Sequence, residues 1–430
     1  MSTQPCALDL IASHQALSRN VLDGLTLDGV GLAQIAAQFG TPTHVIGADS
    51  LRARAATLRA AMPYVAIHYA VKANDHLAIL SILAGLGFGA DVVSGGEFSR
   101  AIAAGFAPAK IVFSGVGKTG DELRLALAGG CGQINVESAE ELEELALIAA
   151  SMKITARVAL RINPDIDAGT HDKISTGRAG DKFGVPHDSA AALYARGAAL
   201  PFIEMRGLAV HIGSQIFSVG PFQRAYDRLA GLVRTIRAAG SQVDLVDCGG
   251  GLGVAYHNET EVLPEAWYGA IKAAFGGLGV ELAVEPGRWC VAPCGVLVAR
   301  VIRTRLEAME QPMIVIDAAM NDFMRPAMYG SYHAIMATSP ADLVAPVMPT
   351  DVVGPICESS DVFGRARTLP ALGTGAVVAI LDTGAYGAVM RSNYNSRADA
   401  AQVLVENGQA KLIRARGEVS KLWAREIVPG

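Results

Sequence analysis

The feature that most limits how this chain folds is an eightfold alternation between Thr43 and Arg288. Short runs rich in β-branched residues recur as AIHYAVKAN, GFGADVVS, KIVFSGV, QINVES, TARVALRINP, RGLAVHIGS, VDLVDCGGG and VELAVEPGR. Between them lie stretches such as HLAILSILAGLG, FSRAIAAG, DELRLALAGG and FQRAYDRLAGLVRTIRAAG, whose apolar residues return near helical period. Eight strand–helix repeats over roughly 250 residues predict a (β/α)8 barrel of the TIM type. The competing architecture is an open doubly wound sheet. Its best support, GGGLGV at 249–254, lacks the G-x-G-x-x-G spacing and comes late in the chain.

After Trp289 the texture changes. GVLVARVIRTRLEA, PMIVIDAAM, TDVVGPICES, AVVAILDTGAYG and AAQVLVENGQAKLIRAR read as strands, several in hairpin order, with Asn-Gly as a turn signal near the end. The reading is therefore α/β, with a barrel over 42–290 and a mainly β domain, barrel or sandwich, made of 1–41 together with 291–430. An apolar fraction of 51% and a charged fraction of 18% suit a large buried core. The net charge of −5, from 36 basic and 41 acidic side chains with no basic stripe, argues against a nucleic-acid partner.

The opening MSTQPCALDLIASHQ has no basic or apolar region of a secretion signal, and no apolar run reaches membrane-spanning length. A cytoplasmic protein with no membrane partner is expected. The six cysteines do not form a disulfide framework and suit a reducing compartment. Cys290 and Cys294 are close in sequence, but no second Cys/His pair stands at zinc-site spacing, so no metal is expected.

Barrels of this kind carry their active site at the C-terminal ends of the strands. Polar residues fall at those ends repeatedly: Lys72, Asp91, Arg161, His211, Gly249–Gly251 and Glu285. Lys72, in the otherwise apolar HYAVKAN, suits an amine desolvated enough to form a Schiff base. A strand-end lysine reaching solvent is the bland reading, and the company of Lys72 counts against it. Gly249, Gly250 and Gly251 let backbone N–H groups surround a phosphate, although a plain turn has the same look. Ser214 in HIGSQ offers either a hydroxyl to that phosphate or a helix cap. Glu285 supplies a carboxylate of the kind that keeps a pyridine nitrogen protonated. His211 suits stacking on a ring face, against a background in which lone histidines are usually structural. Lysine, phosphate loop and carboxylate together imply pyridoxal 5'-phosphate.

At these motifs the chain resembles the alanine-racemase-like, barrel-type pyridoxal-phosphate decarboxylases, and within them the diaminopimelate decarboxylases. The matching stretches are FGTPTHV (39–45), HYAVKAN (68–74), GADVVSGGE (89–97), LRINPDIDAGTHDKISTG (160–177), DKFGV (181–185) and HIGSQ (211–215). They continue with DCGGGLGV (247–254), EPGRW (285–289), RPAMYGSYH (325–333), GPICESSDVF (354–363) and DTGAYG (382–387), in family order over nearly the whole chain. Ser360 is a departure, standing where a smaller residue, often glycine, is expected.

The resemblance implies a barrel plus a β domain, and a homodimer whose active sites are shared across the interface. It also implies PLP-dependent decarboxylation of meso-2,6-diaminopimelate to L-lysine and CO2, the last step of lysine biosynthesis. By position it makes Lys72 the Schiff-base lysine, Glu285 the partner of the pyridine nitrogen and His211 the stacking ring. Gly249–Gly251, Ser214 and Tyr386 go to the phosphate, and Asp91, Arg161, Gly287 and Arg288 join the cofactor set. Arg288, Arg325 and Tyr329 bind the far end of the substrate, with Tyr386 beside them. Cys357, as proton donor, and Glu358, toward the far amino group, reach in from the partner subunit. Two arginines and a glutamate suit a substrate whose far end carries a carboxylate and an ammonium. Alternatives are a decarboxylase of another basic amino acid or carboxylated polyamine precursor, a racemase on the related barrel, and a non-catalytic PLP-binding homologue. ISTG, RPAMY and CES favour diaminopimelate; Lys72 and Cys357 oppose the non-catalytic reading.

Overall fold

The protein is described by a computed structural model covering residues 7–169, 176–178, 180–305 and 311–429. The THDKIS part of the fourth motif and the end of GVLVARVIRTRLEA lie outside the described residues. Two compact units form. One comprises Ala55–Ala255 and Glu259–Trp289; the other comprises the residues up to Arg54, Tyr256–Asn258 and those from Cys290 onward.

The first unit is a closed parallel barrel. Its strands are β1 (Ala66–Ala70), β2 (Gly89–Val92), β3 (Ile111–Phe113), β4 (Gln133–Val136), β5 (Ala156–Asn163), β6 (Ile203–Val210), β7 (Leu245–Asp247) and β8 (Glu281–Val284). Each pairs in parallel with the next, and β8 closes on β1 with Val284 beside Ile67. All eight expected runs become strands, and each places buried apolar or small residues in the barrel wall. The intervening helices begin where the sequence puts capping residues. Ser94 and Ser138 accept the N–H of Glu97 and Glu141 at 3.1 Å each, and Thr119 forms a reciprocal capping box with Glu122.

The second unit is mainly β. Its large sheet runs Val362–Pro370, Val347–Val353, Met313–Ile316, Gly295–Arg305, Thr43–Gly47, Ala401–Glu406, Gln409–Arg414. Asn407 and Gly408 take φ of 51° and 70°, the left-handed pair that a tight hairpin turn requires. Leu25, Leu27, Leu32 and Ile35 share one core with Val45, Val296, Val298 and Val403, so the N-terminal segment belongs to this unit. One expectation needs correction. Thr43–Gly47, on the barrel side of a boundary at 42, pairs antiparallel with Gly295–Arg305 and parallel with Ala401–Glu406. A five-residue strand buried throughout fits either domain, and only the pairing register decides. Met313–Ile316 pairs antiparallel with Gly295–Arg305, as hairpin order expects, and in parallel with Val347–Val353 on its other side. Among the described residues no helix is long and apolar enough to cross a membrane.

Beneath the loop after β7 stands a buried polar pillar. Trp267 donates from Nε1 to the Tyr226 hydroxyl at 2.8 Å, and Tyr226 donates in turn to the Cys248 carbonyl at 3.1 Å. All three residues are buried, so loss of the hydroxyl strands an indole N–H and a carbonyl together. We expect Tyr226→Phe to cost about 1–3 kcal/mol, read from urea unfolding. An unchanged midpoint would show that the pillar carries no load.

Candidate active site

The barrel collects its chemistry at one rim. β1 ends at Ala70, and Lys72 sits in the 3-10 turn Val71–Ala73 directly beyond it. Asp91 lies near the end of β2, Arg161 near the end of β5, and His211 follows β6. Gly249–Gly251 follow β7 after Cys248, and Glu285 follows β8. The EPGR turn packs closely on the Lys72 turn. The Ala70 N–H bonds the Pro286 carbonyl at 3.1 Å, and a Cβ on Gly287 would stand 3.0 Å from the methyls of both Ala70 and Ala73.

Lys72 Nζ is 2.6 Å from Asp91 Oδ2, with the lysine side chain a third exposed and the aspartate wholly buried. The second oxygen, Asp91 Oδ1, is buried without a hydrogen-bond partner. Across the rim, burial and then the negative charges of Asp247 and Asp91 push the Glu285 carboxyl well above the ordinary range. Burial also raises Asp247, so both carboxyls are held toward the protonated form. Lys72 is near enough to oppose the shift on Glu285 by its positive charge. Ser114 Oγ and Asn135 Nδ2 approach Glu285 Oε1 at 3.4 Å each, and Gln133 Nε2 holds Asn135 Oδ1 at 2.7 Å.

His211 is half-buried, and desolvation, followed by the charges of Lys72 and Arg161, holds its imidazole well below its usual pKa. It is a neutral ring. Its Nδ1 accepts the Gly250 N–H at 3.1 Å, which fixes the other nitrogen as the protonated one. The Gly249 N–H goes to Asp247 Oδ1 at 3.0 Å. Two of the three glycine amides therefore tie the loop to the barrel, which the sequence reading did not foresee. Glycine is needed here for close approach, since a Cβ on Gly250 would lie 2.2 Å from the Glu285 carbonyl oxygen. Arg288, in the short helix Arg288–Val291, donates from Nε and Nη2 to Ser214 Oγ at 3.3 and 3.0 Å, leaving that hydroxyl proton free to point outward.

Sequence reasoning missed Glu137. It follows β4 as Glu285 follows β8, and it accepts Arg161 Nη1 at 2.8 Å together with the amides of Gly115 and Gly184. It sets the guanidinium of Arg161, whose other face lies 4.9 Å from the Phe183 ring. Ser114 and Asn135 were missed too. The strand-end criterion that found Lys72 and Glu285, applied to FSG and INVES, identifies all three.

The remaining expected residues belong to the β unit. Arg325, buried in the helix Arg325–Tyr329, lies 5.0 Å from the Tyr256 ring and 5.8 Å from that of Tyr329. His333 positions it. Its Nδ1 donates to the Leu381 carbonyl at 2.9 Å, so Nε2 accepts from Arg325 Nε at 3.3 Å. Tyr386 and Asp382 both hold left-handed φ, 54° and 58°, in the DTGAYG turn. Such strain in non-glycine residues gathers at functional positions. Cys357 is an exposed free thiol, and Glu358 beside it accepts the Tyr394 hydroxyl at 2.8 Å. Ser360 is exposed, and its backbone avoids the left-handed region, so the departure from glycine costs nothing there.

Residues 48–292 match the family model for the pyridoxal binding domain of pyridoxal-dependent decarboxylases. The chain therefore belongs to the barrel-type pyridoxal-dependent decarboxylases, and its cofactor is pyridoxal phosphate. Within that class it belongs to the diaminopimelate decarboxylase family. It is 45% identical over 412 residues to diaminopimelate decarboxylase of Pseudomonas aeruginosa, covering 94% of this chain and 96% of the relative. The structure of the Helicobacter pylori diaminopimelate decarboxylase complexed with L-lysine superposes with a TM-score of 0.88 at 38% identity, covering 92% of this chain and 98% of that one. The M. jannaschii diaminopimelate decarboxylase in complex with L-lysine superposes with a TM-score of 0.91 at 35% identity, covering 97% and 98%.

The residues present fit the cofactor. An amine against a buried carboxylate, a tight glycine loop and a desolvated acid share one rim, and the acid's raised pKa marks a place that favours a neighbouring positive nitrogen. We expect Gly250→Ala to weaken cofactor binding by about tenfold or more, since an offset of roughly 1.4 kcal/mol suffices. Titration of the protein with pyridoxal phosphate, followed by absorbance, measures this; unaltered affinity would mean that the close approach at Gly250 is dispensable.

Proposed function

We propose that this protein decarboxylates meso-2,6-diaminopimelate to L-lysine and CO2, with Lys72 holding the cofactor. The observation that carries the reading is the meeting of Lys72, Asp91 and Glu285 at one barrel rim, in a chain 45% identical to a diaminopimelate decarboxylase. When bound, pyridoxal phosphate supplies the electron sink that accepts the pair left behind as CO2 departs.

The chain's own residues do the rest. Asp91 Oδ2 holds the proton of Lys72 Nζ and aims the amine. Glu285 would face the ring nitrogen, where the negative charges of Asp247 and Asp91 around it favour a positive, protonated nitrogen. His211, being neutral, covers the ring without adding positive charge. With the first two glycine amides engaged by Asp247 and His211, we assign the phosphate to the Gly251 amide, the Ser214 hydroxyl and Tyr386, with Gly287 giving close approach. Arg161, steadied by Glu137, completes the cofactor set. Arg288, Arg325 and Tyr329 take the far carboxylate, for which the planar guanidinium fork is suited. Glu358 takes the far ammonium, and Cys357 Sγ delivers the proton that replaces CO2. We place both in the active site of a second copy, making the working form a homodimer. The free thiols Cys131, Cys248, Cys290, Cys294 and Cys357 fit a cytoplasmic setting.

Carbon dioxide release from meso-diaminopimelate, with lysine as the amino product, is the direct test. Fast turnover of lysine or ornithine with none of diaminopimelate would reject the substrate. Lys72→Ala should abolish the visible absorbance of the bound cofactor and lower kcat by on the order of 10³-fold or more. Full absorbance and turnover in that variant would end the assignment. Cys357→Ala should lower kcat by about 10²-fold while leaving absorbance intact. Mixing inactive Lys72→Ala and Cys357→Ala subunits should restore part of the activity; verified mixed dimers without recovery would remove the shared site.

A further inference from the structure

Tyr394 lies in SNYNS, a stretch that none of the roles above uses. Its hydroxyl donates to Glu358 Oε1 at 2.8 Å across a separation of 36 residues. Both sides of this contact are braced. Asn321, 3% exposed, donates from Nδ2 to the Tyr394 carbonyl at 2.7 Å, while the Ser392 N–H bonds the Asn321 carbonyl at 3.1 Å. Asn395 and Ser396, directly after the tyrosine, hold left-handed φ of 57° and 54°, a conformation that persists only where the surroundings impose it. Asn393 and Arg391 fasten the same turn to Asp399 at 3.0 Å each. On the other side, buried Asp361 closes the Glu358 loop, accepting the Ile356 and Met320 amides at 2.7 Å each. Two rigid turns thus meet through one phenol–carboxylate bond, next to the exposed Cys357.

The chemistry of the donor matters. An arginine or lysine at 394 would orient Glu358 but neutralise it. A phenol orients it and leaves the negative charge in place. The hydrogen bond to Glu358, and then that carboxylate's charge, raise the phenol above its usual value, so Tyr394 remains a protonated donor.

We propose that Tyr394 is a positioning residue for specificity: it pins Oε1 of Glu358 so that the other carboxylate oxygen faces the substrate's far ammonium. This rests on the reading that Glu358 meets that ammonium. Only the hydroxyl of an exposed ring is removed in Tyr394→Phe, so the fold should survive, and a thermal melt checks that it does. With the holoenzyme, Tyr394→Phe should raise KM for meso-diaminopimelate about tenfold, the scale of a hydrogen bond to a charged group, with kcat within about twofold. Glu358→Gln should raise KM further, and the double variant should match Glu358→Gln alone. For 2-aminopimelate, which lacks the far amino group, Tyr394→Phe should leave KM unchanged. An unaltered KM for diaminopimelate in Tyr394→Phe, an additive double variant, or an equal loss with 2-aminopimelate would overturn the proposal. If Glu358→Gln itself leaves KM unchanged, the placement of Glu358 falls first and the role of Tyr394 with it.

Discussion

Burying Asp91, Asp247 and Glu285 together at the mouth of one barrel sets the terms for everything around them. Carboxylates withdrawn from water against one another are costly, by several kcal/mol per ion even after relaxation. The structure meets that cost locally. Lys72 stands against Asp91, and Ser114 and Asn135 lean on Glu285. Because burial raises the folded pKa of the pair, its contribution to stability is complete below the ordinary carboxyl range and is lost as pH rises through the folded values. A positive nitrogen brought against Glu285 reverses that demand. The arrangement is therefore poised for a protonated heterocycle before any substrate arrives.

The β unit solves a different problem. Its candidate residues are held by neutral partners that orient without cancelling charge. His333 and two aromatic faces hold Arg325, and a phenol holds Glu358. A guanidinium or carboxylate supported in this way keeps its full charge for a ligand, whereas an ion pair would spend it internally. Strained backbone marks the same neighbourhoods, at Asp382, Tyr386, Asn395 and Ser396.

Much of the barrel was legible in the sequence, because eight short apolar runs at regular spacing admit few other folds. Lys72, Asp91, Arg161, His211 and Glu285 were legible for the same reason, since strand phase puts them on one rim. Residues that act through another residue were harder to see. Glu137 and His333 carry no motif of their own, and their roles come from partners 24 and 8 positions away. Tyr394 sits in a loop with no periodicity, and only tertiary contact brings it to Glu358. The Thr43–Gly47 strand was assigned to the wrong side because burial pattern does not encode the partner strand; pairing does. The engaged amides of Gly249 and Gly250 were equally invisible, because a glycine run advertises freedom of the backbone but not which acceptor each N–H will find.

The bond from the Gly250 amide to Nδ1 of His211 has a consequence for how such a protein fails in acid. An imidazole that gains a proton at that nitrogen becomes a donor facing a donor. The bond turns into a repulsion at Gly250, while Ile216 and Gln215 still tie Gly251, Gly253 and Val254 to the segment after the sixth strand. Desolvation defers this to pH well below the ordinary histidine range. Once crossed, the threshold loosens the glycine turn at Gly250 while the strands around it stay paired. Acid inactivation would then register as loss of the prosthetic group, with helix and sheet content still intact.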